Sequence, residues 1–353
     1  MRKIMFAKKA LVTGITGQDG AYLAKHLLDN GYEVYGTYRR SASGTPWRLD
    51  YLGITDKVKL VGMELLEFSN ILHVVEKIRP DEIYNLAAQS FVKTSFDEPL
   101  YTADVDGLGV VRLLESIRKI KPDTKFYQAS TSEMYGRTSE GKQNEKTAFR
   151  PCSPYAAAKL YAHWMVTNYR EGYGLYACSG ILFNHESPLR GEEFVTRKIT
   201  TTLAKIKRGK HDVLELGNVD SFRDWGYAGD YVKAMWLMLQ QEKPEDYVIA
   251  TGETHTIREF ANLAAKIIGY NLEWSGKGLD TIAVDSKSGK TLIRINPQYF
   301  RPVEVDVLIG DASKAKKELK WQPEVSFENL VEMMMKADFD LIGNNFQPQV
   351  LSA

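Results

Sequence analysis

The chain has 353 residues, 44% hydrophobic and 26% charged, with a formal net charge of +1. That balance fits a globular chain with a sizeable core and speaks against nucleic-acid or membrane-surface partners, which call for concentrated basic charge. No apolar run reaches the roughly 18 residues of a membrane span. The two cysteines, Cys152 and Cys178, have neither a metal-ligand spacing nor a disulfide framework, and the six histidines form no metal-binding pair, so no metal is expected.

The basic start, Met1–Lys9, carries too short an apolar stretch for a secretory signal, so a cytoplasmic chain with reduced thiols is expected. Lys9–Thr13 reads as a buried strand, and Asp19–Asn30 as a helix with Tyr22, Leu23, Leu27 and Leu28 on one face. Further strands are expected at Glu33–Thr37, Val58–Val61, Glu82–Asn85 and Lys125–Ala129, each separated by helical sequence. Strands alternating with helical crossovers imply an α/β doubly wound parallel sheet, covered on both faces. The second half is less regular. Thr196–Arg208 reads as a basic helix and Tyr231–Gln240 as an apolar one, while Gly- and Lys-rich Ser275–Lys290 reads as an exposed loop or hairpin. Ser313–Leu319 and Ser326–Ala337 are expected as closing helices, with a frayed polar tail after Gly343.

Gly14-Ile-Thr-Gly17-Gln-Asp-Gly20 lies between the first strand and the first helix. There the glycines permit a tight turn, a close approach of backbone to a pyrophosphate and close helix–strand packing, and the helix N-terminus meets the anion. At the end of the second strand, where an NAD enzyme presents an acidic residue to the ribose, the chain has Arg39-Arg40. A guanidinium fork suits a 2′-phosphate, so NADP is the expected cofactor. Residues 1–185 are therefore expected to form the NADP-binding Rossmann domain, with 220–252 returning to it. Residues 186–345 are expected mainly as a smaller, mixed α/β substrate-binding lobe, and 346–353 as the tail.

Ser130-Thr131-Ser132-Glu133-Met134-Tyr135-Gly136 follows a strand, at the carboxyl edge where ligands bind. Tyr155-Ala-Ala-Ala-Lys159 opens a helix, and its spacing of four puts tyrosine and lysine on one face. An adjacent ammonium favours the ionised phenol, which would make Tyr155 a usable base, and the lysine can also reach the nicotinamide ribose.

Gly14–Gly20, Asn85-Leu-Ala-Ala-Gln-Ser90, Thr131-Ser-Glu133 and Tyr155–Lys159 together resemble the extended short-chain dehydrogenase/reductases. Longer runs narrow the resemblance to the GDP-mannose 4,6-dehydratase family: Tyr101-Thr-Ala-Asp-Val-Asp-Gly107, Gly180-Ile-Leu-Phe-Asn-His-Glu-Ser-Pro188, Phe194-Val-Thr-Arg-Lys198, Arg223-Asp-Trp-Gly226 and Phe300-Arg-Pro-Val-Glu-Val-Asp306. The likeness spans about Ala7 to Ala337. It implies C4 oxidation of the sugar of GDP-mannose with Tyr155 as base and Lys159 beside it. Loss of water across C5 and C6 would follow, using Glu133 and Thr131, and then reduction at C6. Glu133 is the discriminating residue, because a simple epimerase or reductase of this superfamily needs only hydroxyl, Tyr and Lys.

The resemblance also implies cofactor contacts at Gly14, Thr16, Gly17, Gln18, Asp19, Gly20, Arg39, Arg40, Leu65, Leu86, Ala87, Ala88, Gln89, Tyr101, Lys159, His185 and Arg190. Glu64 is carried over where many relatives have Asp. Substrate contacts are implied at Ser90, Asn184, Val195, Lys198, Arg223, Arg301 and Glu304. Ser132, standing where thymidine-diphosphoglucose dehydratases have Asp, argues against that sister activity. A homodimer or homotetramer is implied, with the loop after Arg40 reaching a neighbouring subunit's cofactor. Three alternatives stay open: a GDP-heptose dehydratase, a GDP-sugar epimerase or reductase, and a non-catalytic NADP-binding sensor.

Overall fold

A computed structural model describes residues 7–40, 46–138, 141–299 and 307–343. Seven parallel strands form the central sheet, in the spatial order Tyr247–Ile249, Ala177–Leu182, Lys125–Thr131, Glu82–Asn85, Lys9–Thr13, Glu33–Tyr38, Lys59–Gly62. The expected doubly wound fold is present. After the third strand the chain crosses back to pair Glu82–Asn85 beside the first strand, with Thr13 opposite Asn85. That reversal opens a crevice at the carboxyl edge, where crossovers on either side diverge to opposite faces.

Burial on both faces explains the strand composition. All six residues of Ala177–Leu182 and all four of Glu82–Asn85 are buried. One face carries the helices Gln18–Asp29 and Ala228–Leu239, packed around Leu23, Leu27, Tyr231 and Met235. The other carries Phe68–Ile78, Gly109–Ile120 and Pro154–Tyr173, around Val75, Leu113 and Val166. A second core joins the helices Val195–Lys207, Ile257–Ile267 and Phe327–Gly343 to a smaller sheet of Leu272–Ser275, Ile282–Asp285, Thr291–Ile295 and Leu214–Leu216. Among the described residues no helix is long and apolar enough to cross a membrane.

The expected elements shift by a few residues at most ends. The third strand is Lys59–Gly62, the strand from Lys125 runs on to Thr131, and the last helix extends to Gly343. The run Ser275–Lys290 is a hairpin region, with Leu272–Ser275 antiparallel to Ile282–Asp285, and Ala283 and Asp285 are buried. Two strands of the main sheet escaped the sequence reading. Ala177–Leu182 is a continuous apolar run, whose periodicity cannot separate a strand from a buried helix. Its Gly180 is required by packing, since a Cβ there would lie 2.4 Å from the Tyr127 hydroxyl. Tyr247–Ile249 is only three residues long. The polar tail after Gly343 lies outside the described residues.

Candidate active site

The crevice is built on a buried polar clamp. Thr13 Oγ1 donates to Asn85 Oδ1 at 2.6 Å, and Asn85 Nδ2 donates to Gln128 Oε1 at 2.8 Å. Thr13 Oγ1 also accepts from the backbone N–H groups of Leu86 and Ala87, both at 3.0 Å. These bonds join the carboxyl ends of Lys9–Thr13 and Glu82–Asn85 to the middle of Lys125–Thr131 and fix where the two loops begin. Gly14 turns the chain with φ +66°, and a Cβ there would sit 2.9 Å from the Ala87 backbone. At Gly20 a Cβ would lie 2.4 Å from Gly14 O and 2.7 Å from Ile15 Cα. No side chain caps the helix at Gly17, which leaves its first amides for an anion.

The first turn of that helix is tied to the segment after Leu182. Gln18 Nε2 donates to His185 O at 3.1 Å, and Gln18 Oε1 accepts from Ser187 Oγ at 2.8 Å. His185 Nδ1 lies 2.7 Å from Phe183 O and Nε2 lies 2.8 Å from Asp19 Oδ2. Both partners accept, so both ring nitrogens carry protons and the imidazole is cationic. Burial opposes charge on each member of the pair, but their mutual attraction and hydrogen bond prevail: His185 is raised and Asp19 lowered. Gln18 and Asp19, expected at the cofactor, thus also hold the 185–187 segment in place.

Two cavities flank the Gly-rich turn. One, of about 710 Å³, is lined by Gly14, Thr16, Gly17, Arg39, Glu64, Leu65, Ala87, Gln89 and Tyr101, with Leu86 and Ala88 between them and Ser90 at its end. Arg39 Nη1 donates to the Tyr101 hydroxyl at 2.6 Å, so the guanidinium is aimed from the second strand over this cavity. Arg40 is exposed and lines neither cavity.

The other cavity, about 670 Å³, gathers Gln18, Asp19, Gly20, Ser90, Thr131, Glu133, Tyr155, Lys159, Asn184, His185, Arg190, Val195, Lys198 and Arg223. Thr131 ends its strand and its Oγ1 accepts from Glu133 N at 3.2 Å, which starts a tight turn that re-aims Glu133. The helix Pro154–Tyr173 begins with Pro154 in its first turn, and Ser153 Oγ accepts from Ala156 N at 3.1 Å. That cap places Tyr155 and Lys159 on the inner face, both buried.

The charge state of Tyr155 departs from the sequence expectation. Burial raises its pKa, and the Asp106 and Glu133 carboxylates add to that, against a hydrogen bond from Thr131 and the Arg190 charge. The Lys159 ammonium donates to Ala129 O at 3.0 Å and stands 5.8 Å from the Tyr155 ring centroid. The phenol is therefore held protonated in this arrangement. Lys159 itself is lowered by burial, with Asp106 opposing.

Asp106 gave no signal of its own in the sequence. It is 1% exposed on a single π-helical turn, Asp104–Leu108. Its Oδ1 accepts from Gln89 N at 2.7 Å, and its Oδ2 has no hydrogen-bond partner among the described residues. Burial raises its pKa to about 6, with Lys159 and the Gln89 amide pulling the other way.

On the far wall, Val195 and Lys198 lie in the first turn of the helix Val195–Lys207, whose N-terminus has no side-chain cap. The Lys198 ammonium sits 3.3 Å over the Tyr299 ring. Arg223 is buried beside Asp224, which accepts from Thr251 N, Gly252 N and Gly310 N at 2.9, 2.9 and 3.2 Å. Tyr299, Asn218, Trp225 and Lys93 also line this cavity and were not anticipated. Only Trp225, inside the run Arg223–Gly226, carried any hint. Arg301, Glu304 and the loop 41–45 lie outside the described residues.

A comparison with protein families matches residues 11–334 to the one described as GDP-mannose 4,6 dehydratase. A GDP-mannose 4,6 dehydratase of Drosophila melanogaster is 54% identical over 346 residues, covering 96% of this chain and 88% of that protein. A GDP-mannose 4,6-dehydratase of Yersinia enterocolitica is 53% identical, covering 94% of each. Among solved structures, a UDP-glucose 4-epimerase of Thermotoga maritima with UDP-glucose superposes with a TM-score of 0.79 at 25% identity, over 95% of this chain and 99% of that one.

Proposed function

We infer that this chain, which belongs to the GDP-mannose 4,6-dehydratase family, converts GDP-mannose to GDP-4-keto-6-deoxymannose and water as an NADP-dependent hydro-lyase. The cradle fits the cofactor: positions 14 and 20 have no room for a side chain, the helix behind them offers uncapped amides, and Arg39 overhangs the adjoining cavity. Held by the Gly14–Gly20 turn and Arg39, NADP would supply hydride-transfer chemistry beside Tyr155 and Lys159, so that the oxidation at C4 and the reduction at C6 would close within one site.

The roles of the residues are our own reading. Tyr155 accepts the proton of the sugar 4-hydroxyl. It must be ionised first, and movement of Lys159 from Ala129 O towards the phenol supplies the countercharge. The 4-keto group then acidifies C5–H. Glu133 takes that proton and passes it to the C6 hydroxyl, which departs as water while Thr131 hydrogen-bonds the leaving oxygen. When hydride is returned to C6, C5 regains a proton and Tyr155 gives up the one it took, so no net proton is gained or lost. Val195, Lys198, Arg223, Asn184 and Ser90 hold the GDP-sugar, with Arg301 and Glu304 added from the family resemblance. Arg223 and Lys198, with the start of helix Val195–Lys207 in the same cavity, suit a diphosphate in a chain of nearly zero net charge.

Glu133 carries the reading, because its turn lines the same cavity as Tyr155 and Lys159. Incubation with GDP-mannose and catalytic NADP+, followed by mass spectrometry of the nucleotide sugar, tests it. Loss of one water without stoichiometric NADPH is expected; an unchanged mass with NADP still bound refutes it.

We assign residues 1–185 and 220–252 to the cofactor domain, supported by the strand Tyr247–Ile249 in the main sheet, and 186–345 mainly to the sugar-binding lobe. A homodimer or homotetramer is also proposed. Leu100, Leu108, Tyr161 and Trp164 are exposed on adjoining elements, an apolar surface of the kind that partners cover. Sedimentation of Trp164→Glu at a lower molecular mass than the parent is the expected result, and an unchanged mass counts against that surface. A cytoplasmic location is also proposed, on the two cysteines' lack of a disulfide spacing in the sequence.

A further inference from the structure

The run Phe194-Val-Thr-Arg197-Lys198 contains a residue to which the reaction assigns nothing. Arg197 is 3% exposed, and each of its three guanidinium nitrogens has a partner. Nε donates to Asp338 Oδ1 and Oδ2 at 2.7 and 2.8 Å, and Thr200 Oγ1 donates to Asp338 Oδ2 at 2.5 Å. This anchors Arg197 to the last helix, Phe327–Gly343. Its Nη1 points the other way, donating to Pro188 O and, at 2.9 Å, to Arg190 O. The carbonyl between them is held from the opposite side. Arg48 Nε donates to Leu189 O at 2.6 Å, and Arg48 Nη1 donates to Thr16 O at 3.0 Å, inside the Gly-rich turn.

Three successive carbonyls are therefore gripped by two guanidiniums that come from different parts of the chain. The amides of the same tripeptide turn inward: Leu189 N donates to Ser187 Oγ at 3.0 Å and Arg190 N to Ser187 O at 3.1 Å. Every backbone polar group of 189 and 190 has a partner, so the segment has one conformation while both arginines are in place. A lysine could not substitute, because a point ammonium lacks the planar fork that reaches a carboxylate and two carbonyls together.

We propose that Arg48 and Arg197 are positioning residues for the cofactor, clamping Pro188–Arg190 so that Arg190 and the Gly-rich turn are held in register. The proposal rests on the reading that Arg190 faces the cofactor. It adds two residues that line neither of the two cavities.

The test measures NADP+ affinity by titration calorimetry, beside steady-state kinetics with GDP-mannose, on full-length Arg197→Lys, Arg48→Gln, Arg48→Lys, Asp338→Asn and Arg190→Ala. Arg197→Lys and Arg48→Gln are expected to raise the NADP+ Kd about tenfold or more, the scale of one charge-assisted hydrogen bond. The GDP-mannose KM at saturating cofactor should move by less than about threefold. Asp338→Asn should fall between these variants and the parent. The double change at 48 and 197 should weaken binding by less than the product of the single effects, since both act through one tripeptide. A lower melting temperature with unchanged NADP+ Kd would make the arginines merely structural and overturn the proposal. So would multiplicative effects. If Arg197→Lys does not fold, the half-buried Arg48 pair decides by the same criterion. An Arg190→Ala protein with parental NADP+ affinity would instead show that the premise about Arg190 is wrong.

Discussion

Gly20→Ala separates the geometry of the cofactor turn from the general cost of losing a glycine. A Cβ at position 20 would lie 2.4 Å from Gly14 O, 2.7 Å from Ile15 Cα and 2.9 Å from Ile15 C. All three are backbone atoms, and ordinary contacts would need them about 0.5–1 Å further away, so either the helix start or the 14–17 turn must move. Overpacking of this kind costs about 1–3 kcal/mol. Because the displaced atoms form the anion cradle, much of that should appear in binding: about 5- to 150-fold in NADP+ Kd, at tenfold per 1.4 kcal/mol. Gly31→Ala is the control, with φ +79° and no heavy atom within 4 Å of its Cβ. It carries the left-handed backbone penalty, about 1–2 kcal/mol of stability, without touching the turn. Calorimetric titration with NADP+, paired with urea unfolding, reads both quantities. Parental NADP+ affinity in Gly20→Ala, or an equal loss in Gly31→Ala, would refute the argument that this contact shapes the site.

Glu133→Gln keeps the volume and removes the base, so kcat should fall about 10²- to 10⁴-fold. Exchange of the C5 proton with deuterated solvent should vanish with it, and persistent exchange would move the base elsewhere. Arg39→Ala should raise the Kd for NADP+ by about tenfold or more while leaving that for NAD+ nearly unchanged, because only the 2′-phosphate loses its charged partner. An equal loss for both cofactors would contradict it. Asp106 has a folded pKa of about 6, above that of an unfolded carboxyl, so the folded state binds more protons between pH ~4 and ~6. Its contribution to stability is therefore lost as pH rises through that window. Asp106→Asn lacks this dependence, and its urea midpoint should rise relative to the parent between pH 4.5 and 7, by the equivalent of about 2 kcal/mol. A constant gap between the two proteins would count against a buried, charged Asp106.

The sequence alone determined what depends on neighbours in the chain. Gly14–Gly20 could be read because strand, turn and helix follow within a dozen residues, and the turn needs glycine wherever the fold puts it. Tyr155 and Lys159 share a face because they are four apart on a helix that Ser153 and Pro154 start. Family resemblance supplied Asn184, Lys198 and Arg223, which periodicity alone would have left among ordinary strand and helix positions. Only the tertiary structure decided what depends on distant partners. It showed that Ala177–Leu182 is an interior strand of the main sheet. It showed that the Lys159 ammonium rests on Ala129 O while burial and Asp106 keep the Tyr155 phenol protonated, opposite to the expectation from spacing. It alone brought Arg48, Pro188–Arg190, Arg197 and Asp338 together. The physical reason is the same in each case. Local conformation follows from sterics and spacing along the chain, whereas desolvation, Coulomb attraction and hydrogen-bond satisfaction depend on which residues the fold brings into contact.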